Sequence, residues 1–343
     1  MNKKNGIIAA GNWLVDHIKI IDVYPEQSSL ANIKSEKLNN GGGPFNVLKD
    51  LARMGADFPL KAIGILGNDS NGKWIQNECI ENNIDISNLK VVENVSTSFS
   101  DVMTVESTGR RTFFHQRGAN VLLDIEHFNF EHYNEQIFYL GYLLLLDKLD
   151  KLDSNNLTGA AKVLRSAQEN GLITSVDIVS EDSNRFKDVI IPSLPFIDYL
   201  FINEFEAEKT TGIELDSNNL KISSLRLAAK KLLDWGVQKW VFLHFPLGVY
   251  ACNKNGDEIL QGSVKYPKNK IKSTVGAGDA LAAGILFAIH ENMNMEETLK
   301  FGVAAAAASL QDVSCSNGIN HYKDNLSIAG QYSYYQLEKV LKK

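Results

Sequence analysis

Ser273-Thr274-Val275-Gly276-Ala277-Gly278-Asp279 brings a polar segment, two glycines and an acid together, and then enters the small apolar run Ala280-Leu281-Ala282-Ala283-Gly284. The run is helix-forming, so the glycines sit at a helix N-terminus. Unpaired N–H groups there point at a ligand, and the helix dipole favours negative charge. An acid is a poor neighbour for a phosphate unless it has other work, such as taking a proton from an attacking hydroxyl. The segment therefore suggests phosphoryl transfer. An Asp after glycines also commonly caps a helix, so the segment alone leaves both roles open.

Around this segment, 343 residues allow one large α/β domain or two smaller ones. Hydrophobic residues make up 44% and charged residues 22%, enough for a substantial core. A formal net charge of -6 argues against nucleic-acid binding as the main activity. Cys79, Cys252 and Cys315 are far apart and form no CxxC pair, which fits a reducing compartment and shows no zinc or redox motif. The apolar run Ile7 to Ala10 is too short for a signal-peptide core. Leu143 to Leu146 and Ala304 to Ala308 are much too short to span a membrane. A soluble cytoplasmic protein is the expectation.

The elements that must position the segment follow from periodicity. Buried strands are expected at 7–10 and 60–66, and helices at 45–54, ending at Gly55, and 73–83. Segments 95–106 and 111–116 alternate about Ser107-Thr108-Gly109-Arg110, a hairpin signal. From Gln136 onward strands (137–140, 172–178, 199–202, 239–243) alternate with helices (157–169, 204–210, 225–234). That rhythm implies a parallel sheet covered by helices. Small hairpin strands at 248–252 and 258–261 precede helices from Asp279 and Met295, and a terminal helix is expected over 332–341. The less core-like segments near 13–38 and 95–116 would form a second, small sheet serving as a lid over a substrate.

Two rival nucleotide motifs fail on context. Gly67-Asn68-Asp69-Ser70-Asn71-Gly72-Lys73-Trp74 has P-loop spacing, but Trp74 stands where Ser or Thr must bind Mg²⁺, and Asp69 would repel phosphate. A dinucleotide fingerprint would need a third glycine where Leu281 stands. The Gly41-Gly42-Gly43 run follows polar Asn39-Asn40, not an apolar strand.

Taken together the motifs are specific. Gly41-Gly42-Gly43-Pro44-Phe45-Asn46 opens a helix, and Gly55 and Gly64 follow at fixed distances. Gly64 to Gly72, Asn203-Glu204-Phe205-Glu206 after a strand, and finally 273–279 come next. In order and spacing, from about residue 6 to about residue 320, the chain resembles the ribokinase-like (PfkB) family of carbohydrate kinases. The resemblance implies one α/β kinase domain over 1–343, with a three-layer ribokinase-like fold, a mainly parallel central sheet and a small β-sheet lid.

By that resemblance Asp279 is the catalytic base. The N–H groups of Ala277, Gly278 and Asp279, after Gly276, would face the charge that builds on the transferred group. Asn203 and Glu206 match a motif that orders Mg²⁺ and its waters around the phosphates of ATP, and Mg²⁺ keeps much of its water. The same pair could equally form a helix capping box, and both roles are compatible. Thr274 and Gly248 fall in the nucleotide-binding stretches. Gly41, Gly42 and Asn46 match the sugar-binding motif, where glycines admit a close approach and an amide both donates and accepts. Asp16 matches a carboxylate that binds sugar hydroxyls. Arg117 and His115 lie where the lid returns, and Arg117 would reach a phosphate or a substrate carboxylate.

Ser273 stands where most relatives carry Asp, a carboxylate tied to a monovalent-cation site, so K⁺ activation does not carry over with the resemblance. His244-Phe245-Pro246-Leu247-Gly248 and Cys315-Ser316-Asn317-Gly318 also depart from the family near the nucleotide. The expected function is ATP-dependent phosphorylation of a small sugar or sugar acid. A nucleoside kinase of the same superfamily would need an aromatic slot, which Trp13, Phe99 or Phe113 would supply. A phosphorylated substrate would need Arg110, Arg111 and Arg117 as its cations. A non-catalytic sugar- or nucleotide-binding regulator is the alternative outside enzymes, and intact Asp279 speaks against it. An exposed lid-sheet edge would favour a homodimer.

Overall fold

The computed structural model describes residues 4–341. Nine strands form the central sheet: β1 (Ile7–Gly11), β4 (Leu60–Gly67), β5 (Ile84–Val92), β8 (Ile137–Leu143), β9 (Ile173–Ile178), β10 (Tyr199–Asn203), β11 (Trp240–Phe245), β12 (Gly248–Asn253) and β13 (Glu258–Gly262). Their order is β13-β12-β11-β10-β9-β8-β1-β4-β5. The seven strands from β11 to β5 run parallel, and β12 and β13 add an antiparallel edge.

Helices cover both faces, which is why the central strands read as continuous apolar runs. Strand alternation divides their side chains into two cores. Ile8, Ala10, Phe138, Leu140, Leu200 and Leu243 join the core that takes in α3 (Gly159–Glu169) and α6 (Ile222–Asp234). Ile7, Ala9, Tyr139, Phe201 and Phe242 join the core of α1 (Gly43–Arg53), α7 (Ala277–His290) and α8 (Met295–Ser309). Shorter helices fill the connections: α2 (Ser70–Glu81), α4 (Phe186–Ile190), α5 (Glu204–Thr211), α9 (Tyr322–Gln331) and α10 (Leu337–Val340).

The second sheet is the expected lid. Strands β2 (Leu14–Ile21), β3 (Ile33–Gly41), β6 (Ser98–Val105) and β7 (Arg111–Gln116) lie in the order β3-β2-β6-β7. β2 and β6 pair in parallel, and the two outer pairs are antiparallel. Ile33, Leu38, Phe113 and Phe114 are exposed on this sheet.

Two local expectations are corrected. β5 was not anticipated, because polar residues interrupt Ile84–Val92 at the sheet edge. The terminal helix over 332–341 is replaced by α9 and the short α10, with 332–336 extended between them. The tyrosine-rich stretch instead pairs with the end of β13: Tyr334 bridges Val264, and the Tyr335 N–H donates to the Ser263 carbonyl at 3.0 Å. The P-loop-like joint is structural. Asp69 caps α2 through the Gly72 N–H at 2.8 Å and accepts the Thr97 N–H at 2.7 Å.

Candidate active site

The C-terminal ends of the parallel strands border two adjoining cavities, the usual ligand position in an open α/β sheet, and the lid covers the larger. One is about 770 Å³, bordered by the lid residues Asp16, Ser100 and His115, and floored by Asp177, Glu206 and Asp279. The other is about 500 Å³ and mostly apolar, between Phe245, Pro246 and Tyr266 on one side and Leu281, Val303 and Ala307 on the other. His244 and Gly278 line both, so the cavities meet at the first turn of α7.

That first turn is shaped by Gly276, the N-cap, at φ 80°. A side chain there would be strained, and its Cβ would lie 2.8 Å from Cys315 Cα. The Ala277 N–H leans toward the Thr274 carbonyl at 3.3 Å. Among the described residues the N–H groups of Gly278 and Asp279 have no hydrogen-bond partner. Gly276, Ala277 and Gly278 thus open the helix with two free donors and not the three expected. Thr274, Ala277 and Gly248 line the 500 Å³ cavity.

Asp279 lies in that first turn, and its side chain does not cap the helix. It is 7% exposed. Its Oδ1 accepts the Tyr142 hydroxyl at 2.7 Å and its Oδ2 the Asn46 amide at 2.8 Å. Burial pushes its carboxyl up to about 6, while these two donors oppose the rise. Asn40 holds Asn46 in that orientation, donating to Asn46 Oδ1 at 2.7 Å and to Ser316 Oγ at 2.8 Å. Gly42, at φ 86°, lets α1 start against Asn12, because a Cβ there would overlap the Asn12 carbonyl oxygen. Gly41 ends β3 opposite Leu14, the start of β2.

Asp16, Ser100 and His115 lie in register across β2, β6 and β7. Ser100 Oγ is 3.0 Å from His115 Nδ1. Burial and the Asp279 charge push Asp16 up to about 7, and Ser100 and Arg111 partly offset this.

At the other end of the floor, Asn203 and Glu206 form the capping box of α5. Asn203 Oδ1 accepts the Glu206 N–H at 2.9 Å, and Glu206 Oε2 accepts the Asn203 N–H at 2.9 Å. Ser180 and the Asn203 amide both donate to Glu206 Oε1 at 2.7 Å. Burial still pushes Glu206 up to about 7. Asp177 rises well above the usual carboxylate range through burial and the charges of Asp279 and Glu206. Three buried acids on one floor with no cation among the cavity-lining residues form a place that suits a divalent ion. Among the described residues no three His, Cys, Asp or Glu side chains group closely enough to hold a metal directly. Buried acid oxygens without a closely grouped ligand set fit a hydrated cation better than a directly ligated one.

Arg117 departs from expectation. Its guanidinium pairs with Asp147 at 3.1 Å and lies 3.9 Å from Glu181, and it does not line the cavity. An anionic neighbour thirty positions away already occupies it. Residues not singled out from the sequence include Tyr142, Asn12, Asn40, Ser100 and Asp177. Asp177 carried a signal, a carboxylate inside the apolar run Val176-Asp177-Ile178; Tyr142 carried none. His244, noted only as a departure, is pushed down to about 4 by burial and is neutral where the cavities meet.

Known proteins resemble this arrangement over nearly the whole chain. A ribokinase of Haemophilus influenzae is 23% identical over 324 residues, covering 92% of this chain and 95% of its own. A 5-dehydro-2-deoxygluconokinase of Clostridium perfringens is 26% identical over 325 residues, covering 92% and 89%. The structure of Arabidopsis thaliana ribokinase complexed with ribose and ATP superposes with a TM-score of 0.77 at 22% identity, covering 95% of this chain and 98% of that one. Among the described residues no helix is long and apolar enough to cross a membrane. The family described as pfkB family carbohydrate kinase matches residues 10–321, and the chain, a phosphotransferase with a sugar hydroxyl as acceptor, belongs to that family.

Proposed function

We propose that the chain transfers the γ-phosphate of ATP to a hydroxyl of a small sugar or sugar acid, with Asp279 as base. The observation that carries this reading is the position of Asp279: a buried carboxylate in the first turn of α7, where an apolar cavity and a polar one meet. The 500 Å³ cavity takes the adenosine, with Thr274 and Gly248 among its walls. The 770 Å³ cavity takes the sugar, whose hydroxyls meet Asp16 and Asn46. The γ-phosphate then lies at the junction, over Gly276, Ala277 and Gly278.

Asp279 accepts the proton of the acceptor hydroxyl as its oxygen forms the new bond to phosphorus. The bond to the leaving oxygen breaks, and its electron pair departs on ADP. The open N–H groups of Gly278 and Asp279 stabilise the charge on the transferred group. Asn203 and Glu206 would hold Mg²⁺ through water, and the ion would neutralise phosphate charge. The lid excludes water, which favours transfer to the sugar over hydrolysis.

A coupled ADP-release screen tests the reading, using pentoses, hexoses, keto-sugar acids and adenosine with ATP and Mg²⁺. Turnover on a sugar or sugar acid supports it. Turnover on adenosine alone makes the chain a nucleoside kinase, with Phe113 at the cavity as the aromatic wall. Calorimetric sugar binding with no ADP release across the panel would point to a non-catalytic binding protein.

A further inference from the structure

Tyr142 has no part in the chemistry above, yet its hydroxyl makes the 2.7 Å bond to Asp279 Oδ1. The ring lies against α1, where a Cβ built on Gly43 would be 3.0 Å from Tyr142 Cε1. The Tyr142 N–H donates to Asn12 Oδ1 at 2.8 Å, and Asn12 Nδ2 donates to the Leu145 carbonyl at 2.8 Å. Backbone and ring are both held, so the hydroxyl is aimed at the carboxylate. Tyr142 also lines the sugar cavity.

We propose that Tyr142 is a positioning residue for phosphoryl transfer, occupying one lone pair of Asp279 Oδ1 so that another faces the acceptor hydroxyl. A carboxylate oxygen has two lone pairs, so both donors fit at once. This rests on Asp279 being the base. With Asn46 on Oδ2, the carboxylate is held at both oxygens and cannot rotate away from the acceptor.

The bond also has an electrostatic consequence. Asp279 is faced by Asp16 from β2, Asp50 from α1, Tyr139 from β8, Asp177 from β9 and Cys315 from the loop after α8. Glu206 of α5 and neutral His244 of β11 line the same cavity, and Arg111 of β7 lies beside Asp16. Burial disfavours the ionised base, whose charge in turn disfavours ionisation of the acids among these groups. The Tyr142 hydroxyl donates to the ionised form and favours it. Burial and the neighbouring acids raise Tyr142 itself well above an ordinary phenol, so the phenol keeps its proton throughout the transfer.

The test follows kcat against pH in the unaltered chain, in Tyr142→Phe, and in a chain carrying 3-fluorotyrosine at 142. Carboxylate ¹³C NMR follows the Asp279 ionisation in all three without substrate. Removing the donor raises the Asp279 midpoint and the acid limb of kcat by about one pH unit, with kcat recovering at high pH. Fluorine acidifies the phenol and strengthens its donation, so the 3-fluorotyrosine chain moves both in the opposite direction. An unchanged Asp279 midpoint in Tyr142→Phe overturns the proposal, whether or not a sugar has been found. If Tyr142→Phe does not fold, an unchanged midpoint in the fluorinated chain overturns it instead. An unaltered chain that turns over no sugar refutes the kinase reading and the proposal that rests on it. A shifted NMR midpoint would then confirm only the bond.

Discussion

Replacing Asp279 by Asn removes the proton acceptor at almost constant volume. The carboxamide oxygen keeps the Tyr142 hydroxyl, 2.7 Å from Oδ1 in the unaltered chain. Its nitrogen then faces the Asn46 amide nitrogen, now 2.8 Å from Oδ2, so two donors oppose each other. An unsatisfied buried donor costs about 1–3 kcal/mol. Loss of the charge that repels Asp16 and Asp177 offsets part of this. The thermal midpoint therefore moves by only about 2–4 °C per net kcal/mol, and the fold survives. Activity falls much further: kcat drops by about 10²–10⁴, the usual contribution of a positioned base. The unaltered chain should also lose activity as pH falls through about 6, where Asp279 takes its proton. By simple titration about nine-tenths of the base is ionised at about pH 7 and about one-tenth at about pH 5. The assay is coupled ADP release across pH, with thermal melting as the control for folding. Near-normal turnover by a folded Asp279→Asn chain would refute the assignment of the base.

Three further perturbations separate the other parts of the site. Asn203→Ala removes the acceptor for the Glu206 N–H and a donor to Glu206, destabilising by about 1 kcal/mol. It also pushes Glu206 further up, so KM for ATP rises at limiting Mg²⁺ while KM for the sugar stays within about twofold by initial-rate kinetics. Gly276→Ala forces a left-handed Ala against Cys315, which costs about 1–2 kcal/mol and lowers kcat; unchanged melting and kcat would show that the loop relaxes freely. Asp50 is fully buried. Burial raises its carboxyl well above the usual value, so the folded state binds a proton that the unfolded state has lost. That contribution to stability is complete below the unfolded value and fades as pH rises toward the folded one, by about 1.4 kcal/mol per pH unit. Asp50→Asn should therefore flatten this part of the pH dependence in urea unfolding and stabilise the chain above about pH 7.

The parts of the site that were legible in the sequence share a physical character. Gly276 to Asp279 and Asn203 to Glu206 act within one helical turn, so their chemistry depends on spacing along the chain. Asn203 and Glu206 show the expected capping box, while their role toward a hydrated cation belongs to the proposed function. Asp16 was legible through its motif, and the lid through alternation in 95–116. Arg117 was misjudged because its partner Asp147 lies on another segment, and no local pattern reports an ion pair thirty residues apart.

By itself, the sequence determined most of the strand and helix order and the glycine-started first turn of α7, because periods of two and 3.6 residues and glycine-started helices are written along the chain; edge strand β5 and the C-terminal tail lack such a period. Only the tertiary structure decided how Asp279 is held. Tyr142 and Asn46 reach Asp279 from 137 and 233 residues away. Asp16, Asp177 and Glu206 meet it only because a lid and the ends of parallel strands close over one floor. The raised pKa of Asp279 arises from that burial, against the two donors that hold it, and neither is a property of any short stretch of sequence.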